Sequence, residues 1–316
     1  MNLRVTSIMQ KVEDDINSES SFDVKHLDAV VAMCLAASSD SIMKVWPTGY
    51  SEFECAYLIN IVDGLKSSHA SIRLLLANGL EASSVDALVI ARLQLESLYN
   101  FCYLQESPAN LQLFLKNGWK KQYIRFLLGR EERKHLARAS NFYLHSGPEA
   151  LEQLRLHSYV SEAEKAWIEF EELGFPTAPP AAIPKFPTPM GVLQKLSGPR
   201  LAMLKRLYPE YQFLCSFAHG ANEAALFRTV TNPRSPTRHF IEKWKSEDLW
   251  QRQIAEPAIT YSALSCLCIG TEIYAANPSD FELAGVLTNA WNLLADVSLL
   301  GKAIWSIRAK AALGAL

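Results

Sequence analysis

The sequence predicts an all-α protein, and three observations predict it. Apolar residues recur at alternating steps of three and four over most of the 316 residues, which is the spacing that lines one face of a helix. No stretch shows the strict polar–apolar alternation of a half-buried strand. Most of the periodic stretches also stop at a proline or a glycine, the residues that end helices.

In chain order, the first helix is expected over 23–45, ending before Pro47. The second spans 51–78 and closes on Gly79, and the third spans 84–105 with Pro108 beyond it. A long helix covers 110–144, with Gly118 and Gly129 as candidate breaks. Pro148 opens the next, which runs to Leu173 and stops at Gly174. The following segment holds Pro176, Pro179, Pro180, Pro184, Pro187 and Pro189. Such a run cannot continue a helix and takes an extended path. It is read as an ordered strap anchored by Ile183, Phe186 and Met190, in preference to a free linker. Helices resume over 191–207 and 209–231. A turn cluster at Asn232–Pro236 precedes a short helix from Thr237 and a long one over 247–276. The last helix, 279–310, carries the seam Leu283, Val286, Ala290, Leu293, Val297, Leu300, Ile304 and Ile307, which predicts packing along its whole length. The expected architecture is one antiparallel multi-helix bundle over 1–316. Helices 23–173 form its N-terminal part, 174–190 the strap, and 191–316 the helices that complete it.

Composition narrows the function classes. With Lys+Arg 31 against Asp+Glu 33, the net charge of -2 excludes a uniformly basic nucleic-acid coat. The six cysteines all lie in apolar helical stretches, with no CxxC pair and no zinc spacing. They are expected to be small core side chains in a reducing compartment. Residues 1–21 lack the apolar region of a signal peptide, and the longest uncharged run, 257–271, is too short for a membrane span. A cytoplasmic location, no membrane and no cofactor are therefore expected.

Function enters through seams that charge interrupts. Over 51–78 the seam is Cys55, Leu58, Val62, Leu65, His69, Ile72 and Leu76, with a histidine in a core position. Over 84–105 it is Val85, Leu88, Arg92, Leu95, Tyr99 and Cys102, with an arginine there. A short turn near 80–83 makes the two helices antiparallel and brings His69 and Arg92 to about the same height. A buried charge without a partner costs several kcal/mol, on the order of 3–5. A polar cluster of His69, Arg92 and Glu96 is the expectation. Ser216, His219 and Glu223 share a face of a third helix, and Gly220 allows close approach there. If that face joins the cluster, the six residues frame a buried pocket for a small polar or anionic ligand. Arg92 would be the anion partner and His219 a hydrogen-bond donor. The competing reading is a hydrogen-bonded network that only fixes helix register. His219 and Glu223 have helix-ligand spacing and His69 could add a third ligand, but no HExxH occurs and Arg92 would repel a cation, so no metal is expected. Ser216 lacks the strand–turn–helix elbow of a serine hydrolase, and its hydroxyl is expected to bond back to a helix carbonyl.

Two short motifs carry a resemblance. Arg92-x3-Glu96, within Arg92–Asn100, and Tyr211-x4-Ser216-x2-His219-Gly220 together resemble a family of uncharacterised helical bacterial proteins known only by a domain-of-unknown-function label. The similar stretch covers roughly 57–228, about half the chain. The resemblance implies an all-helical fold with a shared polar centre, and no established activity.

A second functional candidate lies at 116–138. Lys116, Lys120, Lys121, Arg125, Arg130, Arg133, Lys134 and Arg138 stand there against Glu131 and Glu132, with Trp119, Tyr123 and Phe126 interleaved. Basic residues with aromatics can follow a phosphate backbone and stack bases, so RNA is a candidate partner. Arg138-x6-His145 also looks like the Arg-x(4–6)-His signature of small helical ribonucleases of the HEPN type. That resemblance implies His145 as acid/base and Arg138 as stabiliser of a phosphorane-like transition state, without metal, in a toxin or antiviral effector. Ala139 departs from the pattern, since a polar residue commonly follows the arginine. Under this alternative the basic cleft is expected across a homodimer interface. The plain alternative is a solvated basic helix face.

Overall fold

The computed structural model describes residues 24–44, 49–77, 85–135, 148–168, 183–218 and 254–314, and the regular structure in them is helical throughout. The helices are α1 (Val24–Lys44), α2 (Glu52–Ala77), α3 (Asp86–Leu104), α4 (Pro108–His135), α5 (Pro148–His157), α6 (Glu162–Ile168), α7 (Pro189–Leu193), α8 (Gly198–Ala218), α9 (Glu256–Ala276), α10 (Phe281–Val297), α11 (Leu299–Ile304) and α12 (Lys310–Leu313), with a π-turn at Trp305–Ala309 before α12. They form an all-α multi-helix bundle.

Helix α9 is the axis of the bundle. It buries residues round its whole circumference, from Ala258 and Ile259 to Ile273 and Tyr274, as expected of a helix enclosed by others. It packs chiefly on α3 and α1, with α2 and α10 also against it. By length and composition α9 could cross a membrane, but 89% of its most apolar window is buried inside the protein, so it is a core helix. One hydrophobic cluster runs from Leu27 on α1 to Leu313 on α12. A smaller one joins Trp119 and Tyr123 of α4 to Leu151, Val160 and Ile183.

Several helix ends differ from the sequence expectation, and burial explains most of the differences. α4 passes straight through the exposed Gly118 because Leu111, Leu115, Trp119 and Tyr123, four residues apart, are buried along one face before and after it. α8 likewise runs through Pro209, where a stop was expected. Its seam of Met203, Leu204, Leu207, Tyr211, Leu214 and Phe217 continues across the proline. Burial of both halves outweighs the hydrogen bond that proline cannot make. The expected helix 148–173 is interrupted at 158–161, where Tyr159 takes a left-handed conformation with φ 61. Arg155 braces that turn, donating to the Val160 carbonyl at 2.7 Å and to Glu152 at 2.7 Å. The last helix is also not continuous. Ser298 accepts from Gly301 N–H at 3.1 Å and starts a new helix, α11. Leu293 and Val297 consequently do not join a single seam with Ile304.

The described part of the strap, 183–188, lies against α4. Asn117 donates to the Pro184 carbonyl at 2.8 Å and accepts from the Phe186 N–H at 3.2 Å. Ile183 is buried, and Phe186 sits edge-on to Phe114 and Tyr103. Met190, the third expected anchor, is exposed because it falls on the outer side of the short helix α7. All six cysteines are free, five of them buried. Burial pushes the Cys55 thiol up to about 11 and the Cys34 thiol to about 12.

Candidate functional site at the seam of α3 and α8

Arg92 sits two turns into α3 and reaches across to α8. One of its terminal nitrogens donates to the Tyr211 hydroxyl at 3.0 Å and pairs with Glu96 at 2.8 Å. The guanidinium carbon stands 5.4 Å from the centre of the Tyr211 ring, within cation–π range. Burial works against the charge of Arg92, but a bond to Cys215, the Glu96 carboxylate and Tyr211 outweigh it and raise its pKa. Burial, with the bond to Cys215, lifts the Tyr211 phenol to about 12, so it stays neutral near pH 7. The seam is partly open: the side chains of Arg92 and Glu96 are 15% and 33% exposed. The Nε–H of Arg92 is buried and has no acceptor.

The two motifs, more than a hundred residues apart in the chain, therefore meet through Arg92 and Tyr211. The expected cluster of His69 with Arg92 and Glu96 does not form as one group. His69 is 4% exposed on α2, and its Nδ1 hydrogen-bonds with the Ser262 hydroxyl of α9 at 2.7 Å. The height was correctly expected: the Gln94 side-chain amide donates to the Leu65 carbonyl at 3.2 Å, which aligns the two helices in that register. The face was not. Gln94 points at α2, and Arg92, two residues earlier at ~100° per residue, lies on the far side of α3. A helix with neighbours on several sides carries several seams, and the spacing alone does not say which neighbour each seam meets. Ser216, half-buried beside Cys215, donates to the Phe213 carbonyl at 2.8 Å, so its hydroxyl is turned back on its own helix. His219 and Glu223 lie outside the described residues, as do Arg138 and His145.

In the basic segment, Trp119 is 2% and Tyr123 9% exposed. They stack on each other with ring centres 5.2 Å apart inside the smaller core. These rings support α4 against α5 and the strap and are not presented for base stacking. Lys116 is paired with Glu164 at 2.9 Å, and Lys120 donates to the Ile183 carbonyl at 3.4 Å. Lys121 and Arg125 are exposed.

A second polar centre was not anticipated from the sequence. Glu272 of α9 is 0% exposed. Its Oε1 accepts from Arg308 Nε at 2.7 Å. Its Oε2 accepts from Arg200 Nε at 2.8 Å and from a terminal nitrogen of Arg308 at 3.1 Å. Arg200 also pairs with Glu106, just beyond α3. Burial opposes the charge on Arg200, but Glu272 and the other bonds around it outweigh this and raise its pKa. The signal in the sequence was the position of Glu272 itself, the first charge after the uncharged run 257–271. Tyr211 was likewise visible in its motif without being chosen as a site residue.

Compared with protein-family models, with curated proteins and with solved structures, the chain matches none of them.

Proposed function

We propose that this chain is a helical binding protein whose ligand is a small polar molecule with a hydrogen-bond acceptor, held at the seam of α3 and α8. The observation behind this reading is the unmatched Nε–H of Arg92, a charged donor buried without an acceptor. Leaving such a group unpaired costs about 1–3 kcal/mol. An acceptor supplied by a ligand would recover it. The Arg92 terminal nitrogen is already shared by Glu96 and Tyr211, so the guanidinium plane is fixed before any ligand arrives. Glu96 offsets most of the arginine charge. The seam therefore favours carboxylate, phosphate or carbonyl groups presented singly over a polyanion such as RNA.

The test is calorimetric titration of the full chain with acetate, inorganic phosphate and nucleoside monophosphates. A saturable heat with at least one of them, weakened at least tenfold (about 1.4 kcal/mol) in Arg92→Gln, is the expected result. No binding across the set, or equal binding by the variant, would overturn the proposal.

A further inference from the structure

A separate pocket opens at the end of the bundle where α1, α3 and α9 finish together. It is bounded by Ser41 and Ile42 in the last turn of α1, Leu58 of α2, Gln105 just past α3, and Ile273 and Asn277 at the end of α9. The space measures ≈ 310 Å³ including its open mouth. Three of these walls are hydrocarbon. Two polar atoms stand among them without partners: the Ser41 hydroxyl and the Gln105 side-chain carbonyl oxygen. Ser41 is 1% exposed. Its behaviour contrasts with that of Ser38 one turn earlier, which donates to the Cys34 carbonyl at 2.7 Å in the usual helical manner. The backbone donors at these helix ends are already engaged. The Gln105 N–H is bonded to the Phe101 carbonyl and the Glu106 N–H to that of Tyr103, the Asn277 N–H to those of Ile273 and Tyr274, and the Tyr50 hydroxyl to that of Leu104.

From this geometry we infer a binding site for one small hydrogen-bond donor, of the size of water or ammonium, bridging Ser41 and Gln105. Three features select this class. The Gln105 oxygen can only accept, so the occupant must donate, while Ser41 can give or take a proton. Three helix C-termini converge, and their partial negative charge disfavours an anion. The hydrocarbon walls leave little room beside the two polar atoms, which a molecule with two to four hydrogen-bonding directions would satisfy.

The test begins with crystals of the full-length chain grown without ammonium. The expected result is an ordered peak at ~2.7–3.2 Å from both Ser41 Oγ and Gln105 Oε1. An empty map at that position would overturn the inference. So would a peak that persists in the double variant Ser41→Ala with Gln105→Leu, or in Ser41→Ala alone if the double variant does not fold. Melting curves in ammonium chloride and in tetramethylammonium chloride at equal ionic strength then separate the sources. A higher melting temperature in ammonium that Ser41→Ala abolishes assigns ammonium, and equal curves accompanied by the crystallographic peak assign water.

Discussion

The centres around Glu272 and Arg92 are built from the same chemistry and finished differently. Glu272 is wholly enclosed, and both of its oxygens receive arginine donors from two directions. The ion pair of Arg92 and Glu96 lies at a seam, partly wet, within one helix, and leaves a donor over. A cluster closed round its carboxylate fixes how α8, α9 and the C-terminal turn dock, because Glu272 cannot turn to water and Arg200 and Arg308 must reach in to it. An open one has less to hold together and more to offer a visitor. Burial of a charge alone does not mark a ligand site; incomplete satisfaction of its hydrogen-bonding groups is the better sign.

The comparison is broken most forcefully by removing the carboxylate from each centre. Glu272→Ala strands Arg200 and Arg308 beside an uncharged cavity, with an expected loss of about 3–5 kcal/mol of stability. The matching Glu96→Gln should lose less than about 1 kcal/mol, as for exposed pairs within a helix. Urea unfolding of the two variants beside the parent protein measures both, and equal losses would erase the distinction.

An intermediate case sharpens it. Burial resists the charge on Glu164, but the Ser161 N–H, Lys116 and the Ser161 hydroxyl outweigh it and hold its pKa below the usual 4.5. A carboxyl whose folded pKa is depressed contributes stability that is present above its unfolded pKa and is lost as the pH falls through the folded value. Contact between α4 and α6 should therefore weaken below about pH 4.5. Amide hydrogen exchange in α6 across pH 3–6 should show this in the parent and a much flatter profile in Glu164→Gln. The smallest effect is expected at Ser216. Because its hydroxyl bonds its own helix, Ser216→Ala should change stability by less than about 0.5 kcal/mol and leave any titration of Arg92 unaltered.

Periodicity made the helical class legible, and with it the heights of His69 and Arg92, because each depends on local spacing. What remained hidden depends on neighbours. The spacing of α3 names its buried positions, but it does not assign Arg92 to α8 and Gln94 to α2. Pro209 read as a stop because local rules forbid it, and the apolar face of α8 overrode them. Arg200 and Arg308 stand at helix edges where arginines are ordinarily solvated. Only Glu272 betrayed their use, as a charge set at the end of an oily stretch.

Helix α8 carries Arg200 near its start and Tyr211 after Pro209, about 16 Å further along its axis. Proline has no N–H to give the Lys205 carbonyl one turn back, so the rod lacks a rung between the two. The half that grips the interior and the half that faces the seam are thus joined where the backbone is one hydrogen bond short, and the buried apolar face carries the helix across it.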